Sequence, residues 1–247
     1  MFNFSRKPFI YLPFKDSDLF NLTCEYCISL LEKIDSAYIK IVEISTKINV
    51  DIPSVSFELY KECFGYIESY IECYARLVKS VKLSLGQSVG FVKNPQKILN
   101  SSNYNPNSPL QEAVADLRNT SQHFEERLQV FAGQVDPFLK LYYVSQNISW
   151  EIIFGKGGYS HSGSRTSLDK EDFDITKLYF QSYKTEDKFQ KLLIEKLCIN
   201  DLWQDAKEIF NLIEKNIELV RKQKEVCCPP VRGISTFISP DDSSEHI

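Results

Sequence analysis

From Phe57 to Leu85 apolar side chains return every three or four residues without a break: Phe57, Tyr60, Phe64, Ile67, Ile71, Tyr74, Val78, Val81 and Leu85. At 3.6 residues per turn this rhythm puts them on one stripe of a long helix, which must be buried against something. A second such run precedes it, from about Ser17 to Ile48, through Phe20, Cys24, Cys27, Leu31, Ile34, Tyr38, Ile41 and Ile48. Only Asp51-Ile52-Pro53-Ser54 separates the two, and Gly86 offers a stop for the later one. Two long amphipathic helices joined by so short a link predict an antiparallel pair.

Beyond this pair, Gly86 to Asn107 reads as a loop. A punctuated helix start follows: Ser108 to cap, Pro109 at the first helical position and Gln111 where a capping box places its partner. The apolar stripe then runs Leu110, Val114, Leu117, Phe124, Leu128 and Phe131 to a stop at Gly133. Phe138 to Ser145 and Asn147 to Phe154 are rich in β-branched and aromatic residues and predict two strands. They lead into Gly155 to Arg165, read as a flexible loop, and Ile175 to Tyr183 suggests a further extended piece. Helical spacing returns over Glu186 to Leu197, and a last long helix is expected from Asp201 to Lys224. The expected architecture is mainly α. It is an antiparallel bundle of long helices carrying a small β insertion at about residues 136–183, in one domain over 1–230 with a mobile tail at 231–247.

The chain of 247 residues carries 29 Lys and Arg against 33 Asp and Glu, a net charge of −4. That balance excludes a protein that coats nucleic acid by bulk electrostatics, so any polyanion contact must be local. Met1 to Phe14 has no apolar run suited to a signal peptide, and no stretch approaches the length needed to span a bilayer. Seven cysteines, an odd number, favour reduced thiols and a cytoplasmic protein without a membrane role. Cys24 and Cys27 form a Cys-x-x-Cys, but both sit on an apolar stripe and no second ligand pair is evident. Core packing is the better reading. The loop Gly155 to Arg165 holds Lys156, His161 and Arg165 but lacks Walker spacing; it reads as a turn whose cations can touch RNA.

Chemistry concentrates in Arg118-Asn119-Thr120-Ser121-Gln122-His123. With about 100° per residue, Arg118, Asn119, Gln122 and His123 share a face opposite the stripe centred on Leu110, Leu117 and Phe124. An imidazole with a pKa near ~6.5 can move a proton at neutral pH, and a guanidinium can bridge phosphate oxygens as charge builds. Asn119, one turn before His123, can orient the ring or the substrate. No metal or cofactor is required. A polar face opposite an apolar one is also simply what amphipathicity demands, so a solvated surface stands beside this reading.

The Arg118-Asn119-x-x-x-His123 segment resembles the signature of the HEPN (higher eukaryotes and prokaryotes nucleotide-binding) domains. The resemblance implies an α-helical bundle that dimerises, with two motif helices forming a composite, metal-independent endoribonuclease site in a toxin or phage-defence setting. His123 would transfer protons, Arg118 would stabilise the phosphate and Asn119 would support them; from the residues themselves, Gln122, Lys156 and Arg165 are the expected substrate-binding residues. RNA, a second copy of the chain and an antitoxin or regulatory protein are the implied partners. Where family members controlled by tyrosine adenylylation carry a Tyr two residues after the His, this chain has Glu125. The alternatives are a catalytically silent dimerisation or adaptor module and a nucleotide-binding regulator.

Overall fold

The structure, a computed structural model, describes residues 15–50, 52, 55–100, 104–122, 139–155, 158–166, 174–186 and 191–227. Helix α1 covers Lys15–Val50 and α2 covers Phe57–Ser84. The apolar stripes do what their spacing demands. Cys24, Cys27, Leu31, Ile34, Ile41 and Ile48 of α1 are buried against Tyr60, Phe64, Ile67, Ile71, Tyr74 and Val81 of α2. The pair is antiparallel: Ser45 meets Cys63 at 3.6 Å near the connection, while Leu22 and Tyr26 share a groove with Ser80 and Leu83 at the far end. Ser56 caps α2 by accepting the Leu59 N–H.

Helix α3 spans Pro109–Gln122 and α4 spans Ile199–Cys227. The continuation of α3 expected to Phe131 and Gly133 lies outside the described residues, as do the expected tail at 231–247 and most of the α1–α2 link. Ser108 Oγ does accept the Gln111 N–H, at 3.4 Å. The Gln111 side chain, however, turns into the protein instead of closing a capping box.

A mainly α bundle with a small β insertion at 136–183 is not what the chain forms. Five strands, β1 (Leu139–Val144), β2 (Ile148–Gly155), β3 (Gly158–Arg165), β4 (Leu178–Glu186) and β5 (Lys191–Cys198), make one antiparallel sheet ordered β3-β2-β1-β4-β5. The two strands expected over 138–154 are present as β1 and β2, and the extended piece expected at 175–183 is a 3₁₀ turn at Ile175–Lys177 followed by β4. The flexible loop at Gly155 to Arg165 is instead largely β3, paired to β2 from Ile148↔Arg165 to Gly155↔Gly158. The helical segment expected at Glu186 to Leu197 is instead the end of β4 and most of β5, paired Tyr179↔Cys198 through Glu186↔Lys191. The result is a helix layer on a complete sheet, an α+β arrangement.

Alternation along the strands decides which face is buried. Leu139, Leu141 and Tyr143 of β1, Trp150 and Ile152 of β2 and Phe180 of β4 point into the core. There Trp150 meets Tyr60 edge-on at 5.8 Å and Phe180 lies 6.0 Å from Phe64. The opposite face carries Lys140, Tyr142, Tyr179 and Lys196, with Tyr142 and Tyr179 stacked at 5.4 Å. The C-terminal end of α1 is tied to the sheet twice. Trp150 Nε1 donates to Asn49 Oδ1 at 2.6 Å, and Arg165 Nη1 donates to the carbonyls of Asn49 (3.2 Å) and Val50 (2.8 Å). Helix α4 joins α1 through a flat Tyr38–Trp203 stack, 4.1 Å between ring centres. No helix among the described residues is long and apolar enough to cross a membrane.

Candidate anion-binding cleft between helices α2 and α3

Gln111 and Arg118 are seven residues apart on α3, two turns along the same line of the helix. Both face other helices. Gln111 is buried and its Nε2 donates to the Tyr104 hydroxyl and to Asp205 of α4 at 3.3 Å. Tyr74 of α2 donates to the same Asp205 Oδ2 at 2.5 Å and Tyr104 does so at 3.2 Å. A carboxylate accepting from two phenols and an amide is well satisfied. For the two phenols, burial first and the Asp205 charge second push ionisation far above the ordinary tyrosine value. They stay neutral donors, and the cluster binds α2, α3, α4 and the Tyr104 loop together.

Arg118 reaches across to α2. Its Nε donates to Glu72 Oε2 at 2.7 Å and its Nη2 to Glu72 Oε1 at 3.2 Å, a two-point grip on one carboxylate. Arg76 donates to Glu72 Oε1 at 2.6 Å from one turn along α2. Burial raises the Glu72 pKa, yet the hydrogen bonds from Arg118 and Arg76 outweigh it and hold the carboxyl below its ordinary value. Side-chain exposures of 25% for Arg118 and 29% for Glu72 describe a half-buried pair, where the sequence had suggested an open face. One carboxylate between two guanidiniums leaves the seam with net positive charge.

That charge opens onto a cleft of about 290 Å³ between α2 and α3. Ala75, Val78, Val89, Val114 and Ala115 give it apolar walls; its charged lining residues are Lys79, Lys82 and Arg118. Gln111 lines it too, and its Oε1 is buried without a hydrogen-bond partner. Neither Lys79 nor Lys82 has a carboxylate partner among the described residues. An anionic group entering here would meet Lys79, Lys82 and the Glu72-paired Arg118 over an apolar floor.

Of the other expected site residues, Arg165 is the one whose side chain the described residues place. The backbone places Asn119 and Gln122 in the last turns of α3, while His123 and Lys156 lie outside the described residues. Arg165 is held at the end of α1 and does not line the cleft; there its cation meets the carbonyls of a helix C-terminus. His161 stacks on Tyr60 at 4.7 Å and Phe57 at 5.3 Å, part of the sheet–helix contact. Burial pushes the Cys24, Cys27 and Cys63 thiols up to about 12, as core packing of the Cys-x-x-Cys requires. Among the described residues no group of three or more His, Cys, Asp or Glu could hold a metal ion.

Lys79 and Lys82 were not read from the sequence as site residues, although a signal for them exists. No Asp or Glu occurs from Cys73 to Gln111, while Arg76, Lys79, Lys82, Lys93 and Lys97 all do. A net charge taken over the whole chain conceals this segment. Comparison with protein-family models, curated proteins and solved structures finds no match for the chain.

Proposed function

We propose that this protein is an RNA-binding endoribonuclease that uses no metal, with Arg118, Asn119 and His123 as its reacting set. The observation that carries the reading is that Arg118, the first residue of the Arg-Asn-x-x-x-His segment, lines a cleft whose other charged residues are Lys79 and Lys82. These cations would hold phosphates, and Arg118 would offset the charge that grows on the phosphoryl oxygens. His123 takes the proton from a ribose 2′-hydroxyl, whose oxygen attacks the adjacent phosphorus. The bond to the 5′-oxygen breaks, and that oxygen receives a proton from the His123 of a second copy of the chain. The products are a 2′,3′-cyclic phosphate and a 5′-hydroxyl. A homodimer supplies the paired site, an antitoxin or regulator would restrain it, and its setting is toxin action or phage defence in the cytoplasm.

A second reading has an observation in its favour. Glu72 already occupies the Nε/Nη2 edge of Arg118, one of the two edges a phosphate could grip, which suits a catalytically silent dimerisation or adaptor module. One experiment separates the two. Purified protein is incubated with single-stranded and structured RNA, with and without EDTA, beside Arg118→Ala and His123→Ala. The ribonuclease reading expects EDTA-resistant cleavage that drops by at least about 100-fold in each variant. Metal-dependent cleavage, cleavage that survives both substitutions, or none at all would overturn it.

A further inference from the structure

Beside α2 and α3, the cleft is also lined by a tight turn that displays an aromatic ring. Val89 and Val92 pair as an isolated antiparallel bridge, exchanging two N–H···O bonds of 3.1 Å across Gly90 and Phe91. Gly90 has φ +57° and Phe91 does not share the positive φ, the pattern of a two-residue turn with glycine at its first position. The base of the turn is pinned by the Asn94 N–H bonding to Ser88 Oγ at 3.3 Å, and by the Ile98 and Leu99 N–H groups bonding to the Ser84 carbonyl at 2.7 and 2.8 Å. Phe91 at the tip is wholly exposed, although Phe is among the residues that folding most readily buries. No packing role accounts for it.

The stretch of chain around it is cationic. Lys93 and Lys97 follow it, Lys79 and Lys82 lie in the cleft below, and this stretch from Cys73 to Gln111 contains no carboxylate. None of these four lysines has a carboxylate partner among the described residues. We propose that the Phe91 turn and the lysines beside it form a binding surface for single-stranded RNA: Phe91 stacks on one unpaired base and the lysines follow the phosphates into the α2–α3 cleft. A projecting aromatic beside a positive groove is the combination that single strands need, because their base faces are open and every base offers one. A duplex keeps its bases stacked and offers Phe91 nothing. An anionic membrane also attracts lysines, but one ring adds little anchoring there, and a recessed cleft flanked by cations suits a chain better than a flat surface. This inference rests on the RNA reading above and adds the strandedness of the substrate and the residues that grip it.

The test is fluorescence anisotropy with the full chain and a labelled 2′-O-methyl oligouridine of about 12 nucleotides, a length within the range that single-strand sites cover. A 2′-O-methyl strand has no attacking hydroxyl, so the experiment reads binding alone. Phe91→Ala should weaken binding by roughly 5- to 100-fold, the usual loss for one stacked base, while Phe91→Tyr stays within about twofold. Lys79→Ala and Lys82→Ala should each lower the salt dependence by about 0.7 in the log–log slope. Duplex of the same length should bind more weakly and ignore Phe91→Ala. Since Phe91 is wholly exposed, its two variants should melt as the parent does. Equal binding by Phe91→Ala, equal affinity for duplex, or Phe91-dependent capture by phosphatidylserine vesicles without RNA binding would overturn the proposal. Strand binding without cleavage of ordinary RNA would sink the ribonuclease reading and leave this one standing; cleavage indifferent to Phe91 would do the reverse.

Discussion

Glu72 is the residue on which the α2–α3 seam turns. It is desolvated, which alone would favour its neutral form, yet two guanidiniums keep it ionised. Because its folded pKa is depressed, its contribution to stability is complete above the ordinary carboxyl value of 4.5 and fades as pH falls through the folded value. Glu72→Gln should therefore cost about 1–2 kcal/mol at pH 7, since it leaves Arg118 half-buried without its counter-charge. Thermal melts from pH 7 to pH 3 would show the two proteins converging in the acid range. A gap that is constant with pH would mean that the ion pair contributes nothing. The same residue explains why the candidate site was only half legible. Spacing along α3 identifies Arg118 and its distance from the apolar stripe, but the partner that half-buries it lies 46 positions earlier on another helix. No local pattern encodes that meeting.

Among elements, the helices were legible because each carries its apolar stripe as a repeating one-dimensional signal. Strands β3 and β5 were not. The sequence of β3, Gly-Tyr-Ser-His-Ser-Gly-Ser-Arg, has almost no apolar content because it is an edge strand with its serines turned to solvent. Its inward positions are filled by His161 on two rings, Gly163 under Ile52 and Arg165 at a helix end. Strand β5 has Leu192, Leu193 and Leu197, a helical spacing in good helix formers, and pairing with β4 overrides that preference. Gly163 gives β3 its fit. A Cβ there would stand 2.7 Å from Ile52 Cγ2 and 3.0 Å from Trp150 Cβ, so the edge strand approaches the α1–α2 connection as closely as a bare backbone allows. Gly163→Ala should destabilise the fold by about 1–3 kcal/mol in urea titration, and Gly163→Val by more. A neutral result for both would show that β3 is not seated against Ile52.

At the scale of the molecule, burial sorts the five described thiols. Cys24, Cys27 and Cys63 have no exposed surface and are raised to about 12, whereas Cys73 and Cys198 are partly exposed and raised less. Alkylation of the native protein at pH 8, mapped by mass spectrometry, should label Cys73 and Cys198 well before Cys24, Cys27 and Cys63. Those three should react only as the fold opens. Early labelling of Cys24 and Cys27 together would mean that α1 leaves its partner far more readily than its packing indicates.

The strand order has a kinetic side. Pairings β1–β2, β2–β3 and β4–β5 each join neighbours in sequence, and only β1–β4 joins strands separated by two others. The sheet is thus two hairpin-built ribbons zipped along one seam, with Leu141 opposite Phe180 near its middle. The ribbons can form early and cheaply, while the seam must wait for the longest loop to close. Until it does, β1 and β4 are both unpaired edges lined with apolar side chains, so the centre of the finished sheet is the stickiest surface of the folding chain.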